Sequence, residues 1–215
     1  MANRPVFRTW KKNPFVARSF VEFEWFSGFS KAQKQRSIQS LHENFKRQFP
    51  GQEVLEISSK SMQEGGCDLS AFSLSMYVES VGRKVPVENI YQASKVFKMG
   101  GPYTDLLLMS PKDAKRDERL KNSGKFMAYE FEGKRYPITP THLFYDYIYM
   151  KALSENPVLA KIVLSYDAFT DIEFNPDRQL NCQARAAAKY KSLYEQGLLG
   201  VLADYASYEK LMNSE

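Results

Sequence analysis

The stretch 87–97, Val-Glu-Asn-Ile-Tyr-Gln-Ala-Ser-Lys-Val-Phe, constrains the fold most, because it predicts a helix that separates its residues by chemistry. Pro86 suits the start of a helix, and the Gly-Gly-Pro sequence that begins at position 100 predicts a firm stop. Glu88, Gln92 and Lys95 recur at i, i+4 and i+7 and would share one face of this helix.

The opposite face of the same helix predicts its burial. Ile90, Ala93 and Phe97 recur at i, i+3 and i+7 and can pack inward. A helix this apolar is expected deep in a domain, where an acid, an amide and an amine need partners or a ligand. The alternative is a solvent-facing acid and amine that attract by a few tenths of a kcal/mol.

Composition bounds the class of protein. A chain of 215 residues with 43% hydrophobic content is long enough for one well-buried core. No run approaches the roughly 18 apolar residues that a membrane span needs, and the N-terminus lacks the apolar region of a secretory signal. Two cysteines and two histidines predict neither a disulfide framework nor a zinc site. We expect a reduced, cytoplasmic protein with no metal or cofactor and no membrane partner.

The positive charge is concentrated at the N-terminus. Residues 1–60 hold 11 Lys and Arg against 5 Asp and Glu, whereas the remaining residues are close to balanced at 19 against 20. Residues 1–28 also carry several Phe and Trp side chains, which can stack on unpaired bases or pack in the core. This surplus favours nucleic acid as a partner; an ordinary solvated basic face is the alternative.

Periodicity and capping signals predict a mixture of helices and short strands. Ser30 caps an amphipathic helix that runs to Phe49. A short strand is expected at 53–57, and alternation over 125–138 around a Glu-Gly turn predicts a hairpin. Further helices are expected from Ser110-Pro111, over 142–155, from Asn156-Pro157 to Tyr166, over 182–196 and over 198–212.

Several segments carry a resemblance to the NADAR superfamily. Glu88-x-x-Tyr91-Gln92-x-x-Lys95-x-Phe97 resembles the signature helix of that family, with Pro86 and Asn89 where the family has Thr and His. Four other matches occur in order along the chain: Leu69-Ser70-Ala71-Phe72, Ser110-Pro111-x-x-Ala114-Lys115, Asp146 preceded by Tyr145, and Ile172-Glu173-x-x-Pro176 followed by Asn181. The Asn of the first of these four is replaced by Ala71, and the family's Gly before Asn181 is replaced by Gln179.

The resemblance implies an α+β, predominantly helical single domain with a small sheet or hairpins. We expect residues 58–215 to form this domain and residues 1–57 to be a basic aromatic extension packed on its core. Together with the extension, the chain resembles the stand-alone NADAR antitoxins that accompany DarT-type DNA ADP-ribosyltransferase toxins. The function implied is a glycohydrolase that removes ADP-ribose from guanine in DNA. ADP-ribosylated DNA is then the partner, and the cognate toxin is a second candidate; the oligomeric state stays open.

Breaking an N-glycosidic bond needs a carboxylate near the anomeric carbon and a proton donor for the leaving base. Glu88, Lys95 and Asp146 are the candidate catalytic residues. Lys95 can donate a proton, bind a substrate oxygen or form a transient imine if burial lowers its pKa. The candidate substrate-binding residues are Lys60, Ser70, Tyr91, Gln92, Tyr145, Glu173 and Asn181.

Three rival functions stay open at this point. One is hydrolysis of a small phosphorylated N-glycoside, as in NADAR branches linked to riboflavin intermediates. Another is non-catalytic binding of ADP-ribose or of the toxin. The third is plain nucleic-acid binding that salt weakens and ADP-ribose does not affect.

Overall fold

The computed structural model of the chain describes residues 1–176 and 181–214. Gln179, one position of the NADAR resemblance, lies outside the described residues. In chain order the strands and helices are β1 (Ala2–Thr9), β2 (Val16–Phe23), α1 (Lys31–Gln48), β3 (Val54–Glu56), β4 (Ser75–Val78), β5 (Arg83–Pro86), α2 (Val87–Ala93), β6 (Lys95–Phe97), α3 (Pro111–Arg116), α4 (Arg119–Asn122), β7 (Phe126–Phe131), β8 (Lys134–Tyr136), α5 (Leu143–Ser154), α6 (Pro157–Leu164), β9 (Ala168–Thr170), α7 (Gln183–Glu195) and α8 (Tyr205–Asn213).

The chain divides into two compact units, of which the first comprises Met1–Ser70 and Asn156–Glu215. A four-stranded sheet in the order β2-β1-β9-β3 is its centre. Strand β1 pairs antiparallel with β2 along its whole length and with β9, and β9 pairs parallel with β3. The basic, aromatic N-terminus therefore supplies two of the four strands, and α7 packs on β1 and β9.

Helix α1 forms as its sequence pattern predicts. The Ser30 hydroxyl accepts a hydrogen bond from the Gln33 backbone N–H at 3.3 Å, which satisfies one of the free donors of the first turn. Ile38, Leu41 and Phe45 are buried on one stripe and join the core of the first unit. The prediction of a capped amphipathic helix is confirmed.

A buried polar network fastens α1 to β3 and β9. The Thr170 hydroxyl donates to Glu56 Oε2 at 2.6 Å, and the Ile172 backbone N–H donates to Glu56 Oε1 at 2.8 Å. His42 Nε2 lies 2.8 Å from the same Thr170 oxygen; because that hydroxyl has only one proton, the imidazole N–H is the donor there. Burial lowers the pKa of His42 to about 3 and raises the pKa of Glu56, so the ring is neutral.

The second unit, Ala71–Glu155, contains the predicted hairpin. Strands β7 and β8 pair antiparallel around Glu132 and Gly133, which both have positive φ, at 49° and 69°. Strand β6 pairs with β7 to complete a three-stranded sheet, and β4 pairs with β5 separately. Helix α5 packs on β4 and α2, and ten of its twelve residues are buried.

Two predicted helices have different bounds in the structure. The helix predicted to run through position 97 ends at Ala93, and β6 follows it. The reason is that the next backbone groups pair elsewhere: the Glu130 N–H donates to the Ser94 carbonyl at 2.7 Å, and the Tyr103 N–H donates to the Ala93 carbonyl at 2.9 Å. The helix predicted over 198–212 is divided at Asp204, whose side chain caps α8.

The fold class is α+β with more helical than strand residues, as predicted. A boundary at residue 57 between an extension and a NADAR-like domain stays a prediction. Among the described helices, none combines the length and apolar character required to cross a bilayer.

Candidate functional site

Helix α2 is a short helix with an unusually buried polar content. Six of its seven residues are buried, including Glu88, Asn89 and Gln92. Two N–H groups of its first turn donate to the carbonyls of Leu74 and Ala71, both at 2.9 Å, so the start of the helix needs no side-chain cap. The polar side chains of such a helix must find partners within the protein.

Asn89 finds structural partners. Its side-chain amide donates to the carbonyl oxygens of Leu106 at 2.7 Å and Met109 at 2.9 Å. These bonds satisfy two carbonyls of the short 3₁₀ segment Thr104–Leu108 and its end. Asn89 therefore holds that segment against α2, which explains a buried amide at this position of the motif.

Glu88, Gln92 and Lys95 form one continuous chain of hydrogen bonds. Lys95 Nζ donates to Gln92 Oε1 at 2.7 Å, and Gln92 Nε2 donates to Glu88 Oε1 at 2.8 Å. Lys115 Nζ approaches the same carboxylate oxygen at 3.7 Å. We call these four residues the Glu88–Lys95 group; it lies within the second unit and joins an acid that is 5% exposed to two amines.

Lys95 reaches the group from a strand and not from the predicted helical face. Ser94 ends α2, and its hydroxyl donates to the Ile90 carbonyl at 2.6 Å. Lys95 then pairs with Tyr129 in the β6–β7 ladder. The expectation that Glu88 and Lys95 share one helical stripe is wrong, because tertiary pairing takes over after Ser94. The expected proximity of Gln92 to both charged residues is nevertheless present.

An aromatic wall lies against this group. The Tyr91 ring lies under Lys95 Nζ, with 4.4 Å between the nitrogen and the ring centroid. The Tyr129 hydroxyl donates to the Tyr91 hydroxyl at 3.2 Å, and the Tyr145 ring meets Tyr91 edge-on at 5.2 Å between centroids. These contacts fix the orientation of Tyr91 and give Lys95 a low-dielectric neighbour with an attractive face.

The surroundings lower the pKa of Lys95 to about 8. Burial is the largest cause, because it penalises the charged form, and the positive charge of Lys115 acts in the same direction. The negative charge of Glu88 opposes both effects. At pH 7 a pKa of about 8 leaves roughly 9% of the amine neutral, against roughly 0.03% at the ordinary value of 10.5. The site therefore holds both an ammonium donor and a usable population of neutral amine.

Asp146 lies on α5 in the same unit and is completely buried. It directly follows Tyr145, which is part of the aromatic wall. The second unit thus contains all the candidate catalytic residues and three of the candidate binding residues: Glu88, Lys95, Asp146, Tyr91, Gln92 and Tyr145.

The other four candidates lie in the first unit. Lys60 Nζ donates to the neighbouring Ser59 hydroxyl at 2.9 Å, and Ser70 is buried. Glu173 forms an ion pair with Lys34 at 3.7 Å, and Asn181 lies just before α7. Their assignment to substrate binding stays a prediction.

Lys115 is the part of the group to which sequence reasoning gave no role. The signal was present, since Lys115 ends the Ser-Pro-x-x-Ala-Lys segment that resembles the family. Ser110 accepts from the Asp113 N–H and so fixes the start of α3, and Ala114 is buried against the protein. The next residue, Lys115, projects toward Glu88 with its ammonium also 5.0 Å from the Phe72 ring centroid.

A separate cavity of about 140 Å³ lies within the second unit. Its lining includes Ala93, Ser94 and Glu130 but none of the ten predicted site residues. Glu130 and Phe131 of β7 line this cavity, whereas Tyr129 of the same strand belongs to the aromatic wall. The cavity is not the predicted site.

The comparisons with known proteins agree with the sequence resemblance. Residues 2–215 match the protein family described as DarT1-associated NADAR antitoxin, so the match includes the N-terminal strands as well as α2. No curated protein matches the chain.

Proposed function

Since the chain belongs to the family of DarT1-associated NADAR antitoxins, we propose that it is a hydrolase that removes ADP-ribose from guanine in DNA. Family membership supports an antitoxin role toward a DarT-type toxin. The reaction and the substrate are our inference from the Glu88–Lys95 group and from the chemistry that such a group can perform.

The bond to be broken joins the ribose C1′ to the exocyclic amino nitrogen of guanine. Its cleavage develops positive charge at the sugar and requires a proton on a departing nitrogen or on the ring oxygen. Glu88 supplies a carboxylate that is 5% exposed and is held by Gln92, so its orientation is fixed before substrate arrives. We assign Glu88 the stabilisation of the sugar cation and the transfer of protons.

Lys95 has the properties of an amine nucleophile. Opening of the ribose ring gives an iminium between C1′ and the guanine nitrogen. The neutral Lys95 amine adds to C1′, the guanine amine leaves with a proton, and a Lys95–ribose imine remains. Water then hydrolyses this imine and releases ADP-ribose. A pKa of about 8 makes the neutral amine available near neutral pH.

The remaining candidates bind parts of ADP-ribose in this proposal. Lys115, whose side chain is 44% exposed, offers an ammonium to the pyrophosphate close to Glu88. Tyr91 and Tyr145 provide an apolar wall for the sugar or the base. Asp146, which lies in the same unit as Glu88, is proposed as the second carboxylate or as a contact of the ribose hydroxyls.

One observation carries the proposal: the unbroken contact from the Glu88 carboxylate through Gln92 to an amine of lowered pKa. The test is incubation of the purified protein with an oligonucleotide that carries ADP-ribose on guanine, with release of free ADP-ribose measured by mass spectrometry. An oligonucleotide modified on thymine is the control substrate. We expect release from guanine only, and reductive trapping with borohydride should attach ADP-ribose covalently to Lys95.

The same assay separates the rival functions. Hydrolysis of a small phosphorylated N-glycoside without action on modified DNA would favour the small-substrate enzyme. Tight binding of ADP-ribose with no turnover would favour a binding module. Salt-sensitive DNA binding that ADP-ribose does not change would favour a plain nucleic-acid-binding protein.

A further inference from the structure

The two edges of the four-stranded sheet in the first unit differ in how their backbone groups are satisfied. At the β3 edge the Gln63 side chain takes the place of a strand: its Oε1 accepts from the Glu56 N–H at 2.8 Å, and its Nε2 donates to the Val54 carbonyl at 2.7 Å. The other edge is β2, which pairs with β1. Among the residues that the structure describes, no group outside that ladder bonds to the backbone of β2. An eight-residue edge strand left open in this way is a template for pairing with another strand.

Two observations indicate which backbone groups of β2 point away from β1. Phe20 lies opposite Pro5, and a proline has no N–H to donate, so this pair fits a position of the ladder where the two residues exchange no hydrogen bonds. Glu24, four residues further along, donates its N–H to the Ser40 hydroxyl and not to β1. Since the hydrogen-bonding direction alternates along a strand, the N–H and C=O groups of Phe20 and of its second neighbours in β2 face the open edge.

The side chains of this open edge carry opposite charges placed symmetrically around an aromatic ring. Arg18 lies two residues before Phe20 and Glu22 two residues after it, and all three side chains are exposed, Phe20 to 48%. They share one face of β2, and the Arg18 guanidinium lies 5.0 Å from the Phe20 ring centroid. Within residues 1–176 and 181–214, neither Arg18 nor Glu22 forms an ion pair. Charges of one sign would repel a second copy of this strand, whereas this arrangement attracts one.

We propose that two copies of the chain form a dimer by antiparallel pairing of their β2 strands. With the twofold axis at Phe20, Arg18 of each copy lies opposite Glu22 of the other, and the two Phe20 rings meet between these ion pairs. The outward backbone groups then exchange hydrogen bonds, so the two four-stranded sheets join into one continuous sheet. A different partner strand would need an acid, an aromatic residue and a base at the same spacing, which β2 read in reverse supplies. The dimer does not depend on the reaction proposed above.

Charge reversal tests the dimer and its register together. Arg18→Glu places like charges opposite each other at both ion pairs, as does Glu22→Arg, so each variant should dimerise at least about tenfold more weakly than the wild type. An equimolar mixture of the two variants restores attraction at both positions and should form a mixed dimer. The control Lys210→Glu alters an exposed residue of α8 in the same unit, changes the net charge as Arg18→Glu does, and should dimerise like the wild type. Analytical ultracentrifugation over a wide range of protein concentration measures each case.

Amide hydrogen exchange of the wild type locates the interface on the strand. The N–H groups of Arg18, Phe20 and Glu22 should become protected as the protein concentration rises, because they gain partners in the dimer. The N–H groups of Ser19 and Val21 face β1 and should exchange slowly at every concentration. Exchange at Phe20 that does not slow as the dimer forms would place the interface elsewhere and overturn the proposal.

Three further results would overturn it. One is a wild type that stays monomeric at every concentration, and another is a dimer that both charge reversals leave intact. The third is a mixture of the two variants, each shown to be folded by circular dichroism, that forms no dimer. If the wild type is monomeric and Arg18→Glu loses binding to the purified toxin, the edge receives a strand of the toxin and not a second copy. None of these measurements uses ADP-ribose release, so a failure of the proposed function is seen separately.

Discussion

Replacing Lys95 by Met should stabilise the protein near neutral pH while it abolishes the proposed activity. The fall of the Lys95 pKa from 10.5 to about 8 corresponds to about 3 kcal/mol against the charged form, at about 1.36 kcal/mol per pKa unit. Methionine is similarly long and removes this penalty. It also removes the hydrogen bond to Gln92, which costs about 1 kcal/mol. Because Lys95 is only partly buried and solvent screens its charge, we expect a net gain of about 1–2 kcal/mol at pH 7.

The stability gained by Lys95→Met depends on pH. Native Lys95 loses its proton near pH 8, whereas in the unfolded chain it does so near pH 10.5. Between these values the native state binds fewer protons, so wild-type stability rises with pH relative to the variant. The advantage of Lys95→Met is therefore full below pH 8 and largely lost by pH 10. Urea unfolding at pH 7 and pH 10 measures it, with the exposed Lys112→Met as control.

The control variant should differ from the wild type by less than about 0.5 kcal/mol at both pH values. A Lys95→Met protein that is less stable than the wild type at pH 7 would refute the reasoning, because the amine would then be a net stabilising group. A stability difference that does not change between pH 7 and pH 10 would show that the native pKa of Lys95 is not lowered.

Three other substitutions test the contacts around the site and the core. Asn89→Ala removes the side-chain donor from the carbonyls of Leu106 and Met109, of which Leu106 keeps a 3.4 Å bond from the Met109 N–H, and should cost about 1–3 kcal/mol in the free energy of urea unfolding. Thr170→Val keeps the shape but removes the hydroxyl that donates to Glu56 Oε2; we expect a loss of about 2–3 kcal/mol in the same experiment. Lys115→Met removes a cation that lowers the Lys95 pKa, so the rise of ADP-ribose release with pH should move to higher pH. A rate profile unchanged in Lys115→Met would remove Lys115 from the electrostatics of Lys95.

The sequence predicted correctly those elements whose bounds are determined by residues close together in the chain. The cap at Ser30 and the apolar stripe of Ile38, Leu41 and Phe45 lie within one helix, and they placed α1 to within a residue of its bounds. The Glu-Gly turn likewise placed the β7–β8 hairpin, because positive φ at two adjacent positions fixes that turn.

The unpredicted features depend on pairing between distant segments. Strand β9 has three residues, all buried, and such a run shows no period of its own. It becomes a strand because β1 and β3 flank it. The early end of α2 has the same origin, since pairing with β7 overrides a helical pattern that continues through position 97.

The candidate site contains one contact that helical spacing predicts and others that depend on pairing between distant segments. The spacing of Glu88 and Gln92 on α2 predicted their contact directly, since residues four apart meet on a helix. Lys95 meets Gln92 although it lies in a strand, so the predicted proximity was right while its geometry was wrong. Lys115 lies 27 positions from Glu88, and no periodicity within one element connects the two.

The most direct measurement is the rate of ADP-ribose release from guanine-modified single-stranded DNA by the wild type, Glu88→Gln and Glu118→Gln. Glutamine keeps the size of the side chain and removes its charge, and Glu118 is an exposed residue of the same unit. We expect normal release by the wild type and Glu118→Gln and a fall of at least about 100-fold for Glu88→Gln, the lower range for loss of a general acid–base group. Full release by a folded Glu88→Gln protein would contradict this expectation.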